Sequence, residues 1–213
     1  MATAGDVPVL AGIGHVRTRE VLRHADDAHA AGASGLLLAP VTYQALTDDE
    51  VFQLFADVDA AVSVPVVVYD NPGTTHVAFS DELYARIGRL PYVAAIKIPP
   101  VTGGVDVVGA RVDSLRSVIA PEVKIGISGD AVAADALLAG CDGWYSVLAG
   151  TLPGPCRAIV DAARERDVTV PTATAFTARP GGGVEALVDG HQVMVGSPAF
   201  LTTQHADTTP LTD

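Results

Sequence analysis

Lys97 and Tyr69 are the two residues whose types and placement could do covalent chemistry. Lys97 is one of only two lysines in the 213-residue chain, and it lies within the apolar run VAAIKI at 93–98. Apolar surroundings disfavour the ammonium form, and the neutral amine is the form that attacks a carbonyl carbon to make a Schiff base. The plain alternative is a lysine at a strand end that reaches solvent.

Tyr69 closes the preceding apolar run, PVVVY at 65–69, and a loop follows it directly. In parallel α/β folds, reactive residues lie where strands end and loops begin. We therefore expect Tyr69 and Lys97 to converge, with the amine attacking a carbonyl and the phenol passing protons as the carbinolamine loses water. For Tyr69 taken alone, a packed tyrosine with a satisfied hydroxyl is the alternative.

These residues belong to a regular alternation of short apolar runs and helix-period stretches. The runs begin near Val7, Gly35, Pro65, Val93, Val123 and Gly143, and the helical stretches cover 18–31, 47–62, 80–89, 106–119, 130–138 and 154–166. Continuous apolar strands between amphipathic helices predict βα units around a buried parallel sheet. Six units fit part of an eight-unit barrel or an open doubly wound sheet, but no strand is followed by the glycine-rich phosphate loop typical of the latter.

After Arg166 the alternation stops. The stretches 174–179 and 183–196 read as strands, and Asp189-Gly190 predicts the two-residue turn of a hairpin. The stretch 202–213 is polar and is expected to be frayed. We place a domain boundary near Asp167, which gives a barrel-like domain over 1–166 and an appendage over 167–213.

The composition of the chain argues against several classes of partner and location. A formal net charge of −12 argues against nucleic acid, and no apolar run approaches the roughly 20 residues that span a bilayer. The N-terminus lacks the features of a secretory signal, and two cysteines are too few for a disulfide framework. The six histidines form no metal-binding spacing. A cytoplasmic protein without a metal or organic cofactor is expected.

Six motifs in register carry a resemblance to a known family. They are VPVLAGIGH at 7–15, AGASGLLLAPVTYQ at 31–44, PVVVYDNPGTT at 65–75, AAIKIPP at 94–100, ISGDA at 127–131 and AGCDGWYSVLAGTLP at 139–153. Together they resemble the dihydrodipicolinate synthase / N-acetylneuraminate lyase family, which consists of Schiff-base aldolases on a (β/α)₈ TIM barrel. The resemblance covers Val7 to about Arg166, and it implies an incomplete barrel of six βα units.

The resemblance also implies roles for individual residues. Lys97 would form the Schiff base with an α-keto acid such as pyruvate, and Tyr69 would be the proton donor and acceptor. Tyr145 would occupy the position whose backbone meets the keto acid, and Gly129 and Thr74 would also line the substrate site. The implied function is a class I lyase or aldolase, and the chain is expected to be a homo-oligomer.

Departures from the family pattern limit these expectations. The first two βα units, with their Gly-Thr-Thr-Gly-Glu loop, have no counterpart here, and the family's Pro-Tyr-Tyr loop reads Pro40-Val41-Thr42. The relay tyrosine is therefore absent unless Tyr43 replaces it. Thr74 stands where synthase members have an arginine for a second carboxylate, so a substrate other than that of dihydrodipicolinate synthesis is expected.

The C-terminal segment resembles a different family. Residues 158–164 and 168–201 are similar to the nucleotide-binding domain of heavy-metal P-type ATPases, in which a glycine-rich turn, here Gly181–Gly183, lies against the nucleotide. The chain lacks that family's phosphorylated loop and membrane spans, which excludes ATP-driven transport. A flexible turn that enters the hairpin is the preferred interpretation of the glycines. The alternative to an active lyase is therefore an inactive barrel fragment or a fusion product.

Overall fold

In a computed structural model of the chain, residues 4–165, 173–179, 183–188, 191–196 and 198–203 are described. The chain divides into two compact units, residues 1–166 and 167–213. The strands of the first unit are β1 Leu10–Gly12, β2 Gly35–Leu38, β3 Val66–Tyr69, β4 Val93–Ile98, β5 Lys124–Ser128 and β6 Gly143–Tyr145. Its helices are α1 Thr18–Ala30, α2 Asp48–Asp59, α3 Pro72–Thr75, α4 Asp81–Ile87, α5 Val105–Val118, α6 Ala133–Leu138 and α7 Pro153–Glu165.

The six strands form one parallel sheet whose spatial order follows the chain from β1 to β6. A doubly wound sheet reverses its strand order at a switch point, whereas the strands of a TIM barrel follow one another in sequence. The order therefore confirms the predicted incomplete barrel of six βα units. Within the described residues, β1 and β6 each pair with a single neighbouring strand.

The core lies between the outer face of this sheet and the helices. On α2, residues Val51, Leu54, Phe55 and Val58 are buried, at the spacing that places them on one helix face. A capping box begins α2, with the Thr47 hydroxyl accepting from the Glu50 N–H and the Glu50 carboxylate accepting from the Thr47 N–H. Burial of each such apolar side chain contributes about 1.5–3 kcal/mol, so these contacts fix the helices on the sheet.

Two local predictions differ from the structure. The apolar run that begins at Val7 contributes only three strand residues, since β1 starts at Leu10 and Val7 is 68% exposed. Pro8 lacks the N–H that a paired strand donates, which explains the late start. The loop after Tyr69 contains the short helix α3, which was not predicted and which begins with Pro72 at a position that favours proline.

The second unit contains β7 Ala173–Arg179, β8 Gly183–Val188, β9 His191–Gly196 and α8 Pro198–Thr203. The strands pair antiparallel in sequence order, and Val188 lies opposite His191, as the predicted hairpin requires. The predicted turn residues at 189–190, Gly181 and Gly182 of the glycine-rich turn, and residues 204–213 lie outside the described part of the chain.

A buried polar pair ties α4 to the strand ends. The Tyr84 hydroxyl, on α4, donates to one carboxylate oxygen of Asp70, which follows β3, and both side chains are buried. The other oxygen of Asp70 has no partner among the described residues, and the Asp70 N–H donates to the Lys97 carbonyl oxygen at 3.0 Å. Desolvation raises the pKa of the Asp70 carboxyl, and the Tyr84 hydrogen bond and the Arg111 guanidinium oppose that effect only in part.

Replacing Asp70 by asparagine is expected to raise the free energy of unfolding at neutral pH. The change removes a buried carboxylate charge and leaves an oxygen that can still accept from Tyr84. Because the pKa of Asp70 is raised in the folded chain, the folded state binds its proton more readily than the unfolded chain does. The ionised Asp70 therefore lowers the free energy of unfolding in full above its pKa in the folded state. This effect is lost as the pH falls below the ordinary pKa of a carboxyl group.

Urea unfolding of the parent and Asp70→Asn chains from about pH 4 to about pH 8 measures this difference. The stability gap should be largest at the high end of the range and should narrow as the pH falls. Asp113→Asn, at an exposed position on α5, controls for the loss of one negative charge. A stability gap that does not change with pH, or a parent that is the more stable chain at neutral pH, would contradict a destabilising buried charge on Asp70.

Candidate functional site

Parallel pairing places Tyr69 and Lys97 side by side. In the register of β3 against β4, Tyr69 is the partner of Lys97, and in that of β4 against β5, Lys97 is the partner of Gly126. The Lys97 Nζ lies 3.8 Å from the centroid of the Tyr69 ring. At this distance an ammonium group is attracted to the electron-rich ring face. The structure therefore brings the two residues predicted to be catalytic into direct contact.

Tyr145, at the end of β6, approaches Lys97 from the opposite side. Its ring packs directly against the Cα of Gly126, so that any side chain at position 126 would overlap it. The centroid of the ring is 5.4 Å from the Lys97 Nζ. Burial raises the pKa of the Tyr145 phenol, so its hydroxyl stays protonated at neutral pH. Lys97 thus has an aromatic ring on each side.

The Tyr69 hydroxyl is held by Asn71, a residue that the sequence did not single out. The Asn71 side-chain amide donates to the Tyr69 Oη and to the Thr74 Oγ1, each at 3.1 Å. The Asn71 carbonyl oxygen accepts the N–H groups of Thr74 and Thr75 at 2.9 Å. The one-turn helix α3 therefore fixes Asn71, and through it connects the exposed Thr74 to the tyrosine. The signal in the sequence was the Asn71-Pro72 pair, one residue beyond the end of β3.

Gly129 lies at the same edge of the sheet, just beyond β5. Its φ of +90° is a conformation that side chains disfavour, and a Cβ would lie 3.0 Å from the Pro100 ring, beyond the end of β4. Only glycine fits this close approach of two strand ends. The neighbouring Ser128 hydroxyl is buried and has no partner among the described residues, so it is a free polar group at this edge.

Asp130, directly after Gly129, contacts the next βα unit. In the structure its carboxylate accepts from the Ser146 hydroxyl at 2.8 Å and from the N–H groups of Val147 and Leu148 at 3.1 and 3.2 Å. Asp130 therefore caps the 3-10 turn of the next βα unit, and it fixes the chain directly after Tyr145.

Two further residues with polar rings are exposed, Tyr43 and His76. The Tyr43 side chain is 97% exposed, so it lies in solvent rather than in the place of the missing relay tyrosine. His76 is exposed at the end of α3, in a left-handed conformation. In the described ranges no three His, Cys, Asp or Glu side chains cluster closely enough to hold a metal ion, and no helix there has the length and apolarity to cross a membrane.

Comparison with known proteins assigns the chain to a family. Residues 1–176 match the profile of the dihydrodipicolinate synthetase family. The chain is 34% identical over 198 residues to the 4-hydroxy-tetrahydrodipicolinate synthase of Hyphomonas neptunium, and this match covers 92% of the chain and 62% of that relative. A second such synthase, from Nitrobacter hamburgensis, is 33% identical over 164 residues, and 53% of it is covered. The chain therefore spans little more than half the length of these relatives.

Solved structures agree with the sequence matches. The dihydrodipicolinate synthase of Agrobacterium tumefaciens superposes with a TM-score of 0.74 at 43% identity, over 78% of this chain and 55% of that one. The enzyme of Acinetobacter baumannii, solved with pyruvate, gives a TM-score of 0.65 at 30% identity, over 76% of this chain and 54% of that one. With 176 of its 213 residues matched to the profile, the chain belongs to the dihydrodipicolinate synthetase family.

Proposed function

We propose that the chain is a Schiff-base lyase or aldolase in which Lys97 binds a small α-keto acid such as pyruvate. The observation that carries the proposal is the contact of the Lys97 amine with the Tyr69 ring at adjacent strand ends. The neutral amine would attack the keto carbon, and one proton would pass from the nitrogen to the carbonyl oxygen to give a neutral carbinolamine. A second proton on that oxygen would let it leave as water, which yields the protonated imine.

Tyr69 is proposed as the group that transfers these protons. The Asn71 amide nitrogen can only donate, so the Tyr69 oxygen accepts in that hydrogen bond and its own hydrogen stays free for another acceptor. A phenol held in this way can give a proton to the carbinolamine and recover one later. Asn71 is then a positioning residue for Tyr69, and its own anchor is the first turn of α3.

The substrate class follows from the relatives and from the loop that contains Thr74. The Acinetobacter baumannii relative binds pyruvate in its solved complex, which supports a short α-keto acid at Lys97. Thr74 offers a neutral hydroxyl at the position where the family resemblance implies an arginine in the synthases. A second substrate that relies on a carboxylate–arginine pair is therefore disfavoured, and we propose a different aldehyde or keto acid. Tyr145 and Gly129 would border the keto acid.

A second candidate is an inactive barrel fragment that acts through association. It is favoured by the strand pairing, since β1 and β6 each leave one edge without a partner among the described residues. Apolar side chains are exposed next to both edges, with Leu10 46% and Val147 84% accessible. Unpaired edges with apolar neighbours invite other chains to pair, so we propose a homo-oligomer in either case.

The cellular location is a proposal as well. Buried free thiols at Cys141 and Cys156 and the acidic composition support a cytoplasmic protein that binds no nucleic acid.

The match to the Hyphomonas neptunium relative covers 92% of the chain, which is more than the first 166 residues, so it reaches into the second unit. This favours kinship of the matched part of the second unit with the same family, and the ATPase resemblance stays a prediction.

Borohydride reduction in the presence of pyruvate tests the proposed covalent bond. The parent chain should gain the mass of one pyruvic acid less one oxygen atom, and peptide mapping should place the adduct on Lys97. The adduct should be absent from Lys97→Met and present in Lys124→Met, which removes the only other lysine, an exposed one. A folded parent chain that gains no mass would refute the lyase proposal and favour the inactive fragment.

The proton-transfer role predicts that Tyr69→Phe slows the reaction without removing the amine. The rate of adduct formation should fall by about 10²-fold or more, the usual contribution of a general acid. Tyr43→Phe is the matched control, because Tyr43 lies in solvent and should leave the rate unchanged. Equal rates for Tyr69→Phe and the parent would exclude Tyr69 as the proton donor, and a slow Tyr43→Phe would restore Tyr43 as a candidate.

A further inference from the structure

We infer that Tyr145 determines specificity at Lys97: its ring covers one side of the amine and restricts the carbonyl compounds that react there to short ones. The inference rests on the proposed function and extends it from a substrate class to a size limit. It concerns the Tyr145 side chain, whereas the family resemblance assigned this position a role only through its backbone.

The position beside Lys97 on β5 has no side chain of its own. The β5 residue in register with Lys97 is Gly126, which has no side chain to fill the position next to the amine. The Tyr145 ring fills it instead, packed so closely on Gly126 that even a methyl group there would overlap it. A glycine inside a strand often marks such a close approach. Gly126 and Tyr145 are therefore complementary in shape.

The rings of Tyr69 and Tyr145 narrow the space on either side of the Lys97 amine. The Tyr69 ring centroid is 3.8 Å from the Lys97 Nζ, and the Tyr145 ring centroid is 5.4 Å from it. A planar keto carbon can approach between such rings, but each added methylene on the substrate must displace one of them. One methylene in a tight apolar pocket commonly changes reactivity by about 10-fold or more.

The backbone that bears the Tyr145 ring is held in place. Strand pairing fixes Tyr145 opposite Ser128, and the chain directly after it is fixed by Asp130, which accepts from the Ser146 hydroxyl and from two following N–H groups. The Ser146 oxygen also accepts from the Ala149 N–H at 2.9 Å. These hydrogen bonds fix the backbone around Tyr145, so its ring can move aside only by rotation of its own side chain. Asp130 is thus a positioning residue for Tyr145.

The test uses the second lysine as an internal standard. The full chain is treated with cyanoborohydride and one carbonyl compound at a time: formaldehyde, pyruvate, 2-oxobutyrate and 2-oxohexanoate. Peptide mapping gives the ratio of modified Lys97 to modified Lys124, whose side chain is 61% exposed. In the parent the ratio should fall by about 10-fold or more from the smallest to the largest compound.

Tyr145→Ala should flatten this dependence, because the amine gains open space on one side. Tyr145→Phe keeps the ring and should retain the parent profile, which separates the ring from its hydroxyl. Tyr145→Leu, which keeps apolar volume without the flat ring, replaces the alanine variant if that variant fails to fold. The inference is overturned if the alanine or leucine variant shows the parent profile, or if Lys97 stays unmodified in parent and variant alike.

The two proposals can fail separately. A Lys97 that reacts with formaldehyde and discriminates by size, but never takes pyruvate, would refute the proposed keto-acid chemistry and leave the size limit standing. A Lys97 that takes pyruvate and the longer keto acids with equal ease would support the proposed chemistry and refute the size limit.

Discussion

The alignment of Tyr69 with Lys97 in the parallel sheet is the constraint on which the site depends. Ile96 and Ile98, on either side of Lys97, are fully buried against the helices, so Lys97 must lie on the opposite face of the strand. A slip of one residue would turn the amine into the core and the two isoleucines out of it. The hydrophobic pattern of β4 therefore selects the face on which the amine lies.

The amine–ring contact does not hold this arrangement together by itself. A contact of this kind contributes about 0.5–2 kcal/mol, whereas each buried aliphatic side chain of the core contributes about as much or more. The core thus positions the pair, and local hydrogen bonds refine it. Asn71 orients Tyr69, the Asp70 N–H binds the Lys97 carbonyl oxygen, and Asp130 fixes the chain after Tyr145. All these supports lie within the six units that the chain possesses.

Much of the fold could be predicted from the sequence because its causes are local. The apolar runs, the helix-period stretches between them and the order of the motifs predicted six βα units, and β4 has the predicted bounds. The side-chain geometry of the site could not be predicted in the same way, because it depends on which strands become neighbours. The Gly126–Tyr145 contact joins β5 to β6, and the partners of Asp130 come from the following unit. Spacing within one element contains no information about either.

Six βα units hold the Lys97 amine against the Tyr69 ring. The most direct measurement is an NMR spectrum of the chain with ¹³C-labelled lysine, in which the two lysines give only two ε-methylene signals. Ring currents should shift the Lys97 ε-protons upfield of those of the exposed Lys124, and Tyr69→Leu should largely remove the shift. Two superimposed signals at the position of a solvent-exposed lysine, in a chain shown to be folded, would contradict the account.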